Sequence, residues 1–376
     1  MTSTDVMVGS DLRLTCSRDE LVQKLSVVAR GVSTRSAVQI LSGILLRAEA
    51  GELRLAATDM ELSLRASLAA EVEGEGAVVV RGRLLVDISR ALPAEDVRLT
   101  HDVDANRLKI ECGNAQFELH TYAAEDFPRL PDIGDAPLHA VERDALLQTI
   151  SRVGRAASRD ESRPVLTGIL VRFEGEKLVM VATDSYRLSV KETALTERVP
   201  ELEAIIPARA LTELARIGSG AERVELGMQE NQVLFAADGV TLTTRRIDGQ
   251  FPNYKQLIPE QFEHEVVLAR DEVVDVVKRT GLMAQRNSPL RLRFAEGELT
   301  VSAQTADVGE SRERLPFQLA GEPLEIGFNA EFLRDGLESV ESEEVTLKLI
   351  SPLRPAVLEG GDGDFTYLIM PIRLAG

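Results

Sequence analysis

Two aspartates in a repeated phrase are the residues of this 376-residue chain whose placement most invites a chemical reading. Asp59 lies in ATDMELSL, which begins at Ala57, and Asp184 in ATDSYRLSV, which begins at Ala182. A pair of carboxylates can hold a divalent cation or divide acid and base work between them. Here each occupies the same place in a repeat, so the expectation is a turn, in which Asp accepts backbone N–H groups a few residues on. His101, His120, His139 and His264 stand apart in sequence, and Cys16 and Cys112 lack C-x-x-C spacing. Neither a metal site nor a disulfide framework is expected, and both cysteines read as small buried residues. No G-x-S-x-G, Walker A, G-x-G-x-x-G after a strand or HExxH is present, so neither catalysis nor a cofactor is expected.

Basic residues suggest a different chemistry. The formal net charge is −18, which taken alone disfavours a phosphate polyanion. Sorted by segment, however, Lys24, Arg83, Arg152, Arg209 and Lys278 fall on or beside expected helices, whereas acids crowd expected strands and loops. With the basic residues beside them counted, such as Arg286 after 270–284, the first five helices come out positive, and the sixth, with Glu331, Asp335 and Glu338, does not. Helices gathered on one face would then present a positive surface within an acidic protein. No base-reading motif or aromatic run accompanies it, so contact would be with backbone phosphate, independent of base sequence. With no Trp, duplex is a better fit than single strands.

The elements that must position these residues are repeated. Thr58 and Thr183 lie 125 residues apart, and the same offset joins the Arg-Asp starts at 18 and 143 and the strand phrases Ile40-Leu-Ser-Gly and Val165-Leu-Thr-Gly. A fainter third copy starts at Arg270-Asp and continues through Leu292. A period this long implies repeated domains rather than a solenoid. Helical spacing of apolar residues predicts helices over 18–30, 143–156 and 270–284, and second helices over 82–92, 207–217 and 329–337. Gly51, Gly175 and Gly297 each precede a period-two strand, and short strands close the copies over 97–122, 224–246 and 345–372. The class is α+β, each domain two helices packed on antiparallel sheets, over 1–131, 132–259 and 260–376. No apolar run approaches membrane-spanning length and the start lacks signal-peptide features, so a cytoplasmic location is expected.

The three copies, the Ala182-Thr-Asp-Ser-Tyr-Arg-Leu phrase, Asp248-Gly-Gln-Phe-Pro-Asn-Tyr and the ending Tyr367-Leu-Ile-Met-Pro-Ile-Arg-Leu together resemble the bacterial sliding clamps, the beta subunits of DNA polymerase III. The resemblance runs from about Asp11 to Leu374. It implies a head-to-tail homodimeric ring of six domains, helices inside, that encircles double-stranded DNA near the nucleoid. It implies partners that dock through short peptides: the catalytic subunit of DNA polymerase III, the clamp loader, other polymerases and repair proteins. A scaffold paralogue that sequesters partners or confers inhibitor resistance away from DNA is the alternative.

Matched position by position, the resemblance implies a peptide pocket lined by Leu166, Thr183, Ser185, Tyr186, Arg187, Leu188, Pro252, Leu257, Leu368, Ile369, Met370, Pro371, Ile372 and Arg373. Tyr186 stands where the family often has His and Gln256 where it has Arg, which bears on peptide preference rather than location. Arg35 and Arg163 match DNA-facing loop positions, alongside Lys24, Arg83, Arg152, Arg209 and Lys278. Leu282 and Met283 resemble the apolar subunit contact, with Asp307, Glu310 and Glu313 as its acidic partners.

Overall fold

The Arg-Asp pairs at 18, 143 and 270 each open a helix directly at the end of a strand, and that junction sets the frame of every repeat. The computed structural model describes residues 11–33, 37–131, 137–229, 231–284, 288–295, 297–306, 308–316, 322–361 and 363–374.

The first repeat runs β1 (Arg13–Ser17), α1 (Arg18–Val28), β2 (Gly43–Glu49), β3 (Glu52–Thr58), β4 (Leu62–Ala69), β5 (Glu71–Gly74), β6 (Gly76–Arg81), α2 (Gly82–Ala91), β7 (Asp96–Asp102), β8 (Arg107–Cys112) and β9 (Ala115–Tyr122). The second runs β10 (Leu138–Glu142), α3 (Arg143–Val153), α4 (Pro164–Thr167), β11 (Gly168–Thr183), β12 (Arg187–Pro207), α5 (Ala208–Ile217), β13 (Arg223–Gln229), β14 (Gln232–Ala237) and β15 (Val240–Arg245). The third runs β16 (His264–Ala269), α6 (Arg270–Gly281), β17 (Leu290–Ala295), β18 (Glu298–Thr305), β19 (Gly309–Pro316), β20 (Leu324–Phe328), α7 (Ala330–Ser339), β21 (Glu344–Leu349), β22 (Ala356–Gly360) and β23 (Phe365–Ile369).

Local chemistry accounts for the helix starts. Acidic Asp19 and Glu20, and Asp271 and Glu272, occupy first turns, and α6 ends on Lys278 and Arg279, so both poles of its dipole are complemented. Asn329 caps α7, its side-chain oxygen accepting the Phe332 N–H at 3.1 Å. Leu21, Leu25 and Val28, then Leu146, Ile150 and Val153, then Val273 and Val277 form the buried stripes. Gly336 within α7 sacrifices helix propensity because a Cβ there would meet the Tyr367 ring at 2.5 Å.

Strand pairing crosses from one repeat to the next. β4 of the first repeat pairs antiparallel with β15 of the second, and β12 of the second with β23 of the third. The chain accordingly divides into two compact units. Unit 1 comprises residues 1–143 and 213–246, and unit 2 comprises 144–212 and 247–376. Unit 1 holds one sheet in the order β10-β13-β14-β15-β4-β3-β2-β6-β9-β8-β7-β1-β5. Unit 2 holds β11-β12-β23-β22-β21-β16 and β19-β18-β17-β20.

Two local features differ from expectation. Pro164 starts a short helix not anticipated from the pattern. Gly175 sits inside the unbroken strand β11, at φ +67, where the register against β12 shifts. Cys16 and Cys112 are buried and free, as expected, and burial together with Asp96 and Glu20 pushes the Cys16 thiol up to about 12. Among the described residues no helix is long and apolar enough to cross a membrane.

Candidate functional site

The turn between β11 and β12 is built by side chains. Thr183 Oγ1 donates to the Arg187 carbonyl at 2.7 Å and accepts from the Ser185 N–H at 3.1 Å. Asp184 Oδ1 accepts the N–H groups of Tyr186 and Arg187 at 2.9 and 3.0 Å. These bonds hold Ser185 at φ 79, a left-handed conformation that costs a residue with a Cβ. The turn between β3 and β4 repeats them one for one. Thr58 Oγ1 donates to Leu62 and accepts from Met60, Asp59 Oδ1 accepts from Glu61 and Leu62, and Met60 lies at φ 81. Asp59 and Asp184 therefore serve as turn anchors, in agreement with the sequence.

In unit 2 this turn is clamped to the chain's end. Arg187 pairs with Ile369 and Leu188 with Leu368 across β12 and β23, and the Met370 N–H donates to the Tyr186 carbonyl at 2.8 Å. Beneath them Leu188 and Leu368 join Leu170, Val181, Ile205, Tyr254 and Val357 in one apolar cluster, with Val165, Phe251 and Ile258 packed on it. Thr183, Ile369 and Leu166 are also buried. Leu166 is fixed by its N–H to the Arg163 carbonyl at 3.0 Å and by its carbonyl, which accepts the Ser158 N–H at 2.8 Å. Ile372 donates its N–H to the Gly327 carbonyl at 2.7 Å.

The fourteen residues matched by sequence thus fall into two layers. Leu166, Leu188, Leu368 and Ile369 form a floor that is largely closed, while Tyr186 (61 % exposed), Leu257 (51 %) and Met370 (40 %) are the large apolar side chains that meet solvent. Pro252 and Arg373 are exposed, and Ser185, Pro371 and Ile372 are intermediate or exposed at the margin.

Arg187 has a different position from the rest. Its side chain is buried, with Nε 3.0 Å from Asp184 Oδ2, Nη1 2.7 Å from Asp335 Oδ2, and the guanidinium 4.2 Å over the Phe332 ring. Burial works against this charge, but Tyr367, Asp335 and Asp184 outweigh it and hold the cation protonated. Burial likewise pushes the Tyr367 hydroxyl up, and that hydroxyl donates to the Phe332 carbonyl at 2.8 Å. Asp335 and Phe332 belong to α7 in the third repeat, and the turn is in the second. Sequence reading placed Asp335 only among the acids of the sixth helix and did not single out Phe332, because their contact with Arg187 spans some 148 residues of sequence.

The basic residues are not equivalent. Arg83 is exposed on α2 with no ion pair among the described residues, and Arg209 is exposed on α5. Lys24 Nζ donates to the Asp238 carbonyl at 2.9 Å. Lys278 lies 3.1 Å from Glu338, which Arg155 also engages. Burial would raise the Glu338 carboxyl, but the hydrogen bonds from Arg155 and Lys278 hold it below its ordinary range. Arg163 donates to Asp160 and to Ser185 Oγ, each at 3.0 Å, so a residue expected to face DNA touches the matched peptide site. Arg152, expected at the DNA face, is instead buried and pairs with Glu341, since its position on α3 points into unit 2. Arg35 lies outside the described residues.

Of the matched interface residues, Leu282 is highly exposed just beyond α6, Met283 is half-buried and Glu310 is exposed on β19. Glu313 is already engaged by Arg279 of its own chain, at 2.9 and 2.7 Å, and this bond holds its carboxyl below the usual range. Asp307 lies outside the described residues.

Comparison with known proteins matches three family models in succession: the DNA polymerase III beta subunit N-terminal domain over residues 12–131, its central domain over 140–253 and its C-terminal domain over 255–373. The chain is similar to the beta sliding clamp of Streptomyces coelicolor, 36 % identical over 379 residues, covering 97 % of this chain and 100 % of that protein. It is 34 % identical to the beta sliding clamp of Synechococcus elongatus, covering 96 % and 100 %. Among solved structures, the DNA polymerase sliding clamp from Bacillus subtilis aligns with a TM-score of 0.90 at 27 % identity, covering 97 % of this chain and 100 % of that one. The C. crescentus beta sliding clamp aligns at 0.90 and 30 %, covering 97 % and 99 %.

Proposed function

The chain belongs to the DNA polymerase III beta subunit family, the beta sliding clamps, and from that premise we propose that two copies close head to tail around duplex DNA. It is a non-catalytic processivity factor of DNA replication with three clamp domains, which we bound at 1–131, 132–259 and 260–376. The observation that carries this reading is the unbroken succession of three family models over nearly the whole chain.

The mechanism needs little affinity. A ring linked topologically to DNA stays on it while individual cation–phosphate contacts form and break, and such contacts do not depend on base sequence. Arg83, Arg209, Lys24, Lys278, Arg163 and Arg35 are the candidates, with Arg152 acting from within as support for α3. Closed symmetry joins Leu282 and Met283 of one copy to the first domain of the next and leaves no open end for further polymerisation. Asp307, Glu310 and Glu313 would add ionic pairing, Glu313 by exchanging Arg279 for a partner across the interface.

Partners dock at the end of the β12–β23 ladder. A linear peptide from the polymerase catalytic subunit, the clamp loader or a repair protein would lay apolar anchors on Tyr186, Leu257 and Met370 above the closed floor. Arg187 contributes by holding the turn rather than by touching peptide. The tether raises the polymerase's effective concentration at the primer end, so that dissociation is followed by recapture.

The test is retention on nicked circular DNA after loading with clamp loader and ATP, followed by cutting the circle once. Release on linearisation is expected. Retention on the linear product, or failure to load, would reject the ring mechanism and favour a role away from DNA. For the peptide site, Met370→Asp should weaken a Leu- and Phe-anchored peptide on the order of tenfold or more, the equivalent of losing one buried apolar contact.

A further inference from the structure

Unit 1 contains a second copy of the ladder end that positions the peptide site in unit 2, with its chemistry changed. The β4–β15 pairing sets Leu62 opposite Thr244 and Ser63 opposite Thr243, and the Arg245 N–H donates to the Glu61 carbonyl at 3.3 Å. Shifted by 125 residues these are the pairings of Arg187 with Ile369 and Leu188 with Leu368, and the Met370-to-Tyr186 bond. Arg245 therefore stands where Met370 stands, Met60 where Ser185 stands, and Ser63 where Leu188 stands. Pro128, after Phe127, matches Pro252 after Phe251.

A cleft of ≈ 310 Å³ lies at this place, lined among others by Met60, Arg129, Leu130, Asn231, Gln232 and Arg245. Its floor is polar: the buried Ser63 hydroxyl donates to Thr58 Oγ1 at 3.0 Å. Arg65 Nη2 donates to the Pro131 carbonyl at 2.8 Å and steadies the wall over 128–131. Arg129 and Arg245 are exposed, and neither has a carboxylate partner among the described residues, in a protein of net charge −18. Gln232 Oε1, in the same wall, is closed off from solvent with no donor among the described residues. Met60, 60 % exposed, and Leu130 supply the apolar contact.

We propose that this cleft is a second docking site, which takes a short acidic peptide segment of a partner protein, its carboxylates on Arg129 and Arg245 and one apolar side chain against Met60 and Leu130. The Leu- and Phe-anchored peptides expected in unit 2 suit it poorly, because they would cover guanidinium groups and hydroxyls without compensation. The two ladder ends thus sort partners by charge. The proposal rests on the reading of the unit 2 site only for the idea that such ladder ends receive linear peptides.

The experiment is fluorescence anisotropy of the full-length protein with a fluorescein-labelled acidic octapeptide, Glu-Asp-Leu-Glu-Asp-Leu-Glu-Asp, at low salt. Saturable binding that weakens with salt is expected, as is a loss of roughly tenfold per arginine in R129Q and R245Q and more in R129E/R245E. Both residues are exposed, so thermal melts should show these variants folded, and the glutamine pair carries the test if the charge reversal does not fold. M370D should leave this probe's affinity unchanged while weakening a Leu- and Phe-anchored peptide. If the latter peptide binds nowhere, the unit 2 reading fails and the acidic-probe result stands by itself. Absence of saturable binding, binding unaffected by R129E/R245E, or equal displacement by a 20-base-pair duplex, which marks a general polyanion patch, would each overturn the proposal.

Discussion

Replacing Arg187 by methionine removes a charge from the centre of unit 2 while keeping most of the side chain's apolar contact with Phe332. The side chains concerned are 6 % exposed for Arg187, 13 % for Asp184 and 15 % for Asp335, so water screens them poorly. Arg187 reaches Asp184 and Asp335 at 3.0 and 2.7 Å. At an effective dielectric of about 20, unit charges about 4 Å apart interact by about 4 kcal/mol. Without Arg187, Asp335 keeps Arg155 at 3.7 Å, while Asp184 is left buried without its counter-ion, which costs about 3–5 kcal/mol, in the same range. Arg187→Met should therefore destabilise unit 2 by about 4 kcal/mol, on the order of a thousandfold in its opening equilibrium. Hydrogen exchange of the β12 and β23 amides, followed by mass spectrometry, reads that quantity locally. The triple variant Arg187→Met, Asp184→Asn, Asp335→Asn should recover at least half the loss, because no buried charge remains and the side-chain amide introduced by Asp184→Asn still offers an oxygen to the turn. Exchange within tenfold of the parent in the single variant, or a triple variant weaker than the single one, would refute the reasoning.

Two further outcomes follow from the ionisable groups. Glu338 is held below its ordinary range in the folded protein, so its stabilising contribution is present above the unfolded carboxylate value of about 4.3 and is lost as pH falls through the lowered folded value. The parent's thermal advantage over Glu338→Gln, under about 1 kcal/mol because the pair is partly exposed, should therefore be visible at neutral pH and shrink below about pH 4; an advantage unchanged in acid would contradict the assignment. Cys16, buried and pushed up to about 12, should resist a thiol reagent such as dithionitrobenzoate at about pH 8 until denaturant is added, and rapid labelling of the native protein would show the β1–α1 junction to be open.

Local signals in the chain recovered local structure. Helix starts at Arg18, Arg143 and Arg270 follow from acidic first turns and apolar stripes, and the role of Asp59 and Asp184 follows from their identical place in a repeated phrase. Strand partners were not legible. Period-two alternation tells which face of β4 is buried but not that its neighbour is β15 of the next repeat. The direction of Arg152 was hidden for a related reason. A basic residue in an amphipathic helix reads as solvent-facing until its partner, Glu341, is brought to it from the third repeat. Arg187 was matched as pocket lining, yet it meets Asp335 148 residues away, a contact that no window of sequence contains.

The ion pairs around Glu338 bear on how a clamp holds DNA without gripping it. A cation free in solution gains its full attraction on reaching phosphate, whereas Lys278 and Arg155 must first loosen from a carboxylate that already satisfies them. Their net gain is smaller, and so is their contribution to the salt dependence of binding. For an enzyme that must remain on DNA by affinity, such pairing would be a defect. In the proposed ring, residence comes from topology, and a shallow attraction lets the protein move along the duplex without stopping at any phosphate. The Glu338 carboxylate of α7, a helix whose acidic character at first argues against a DNA-facing role, would then keep Lys278 and Arg155 weak in the proposed ring. The same helix supplies Asp335 to Arg187, so its carboxylates act in two places at once: one would soften a proposed DNA contact and the other fixes the turn at the proposed peptide site.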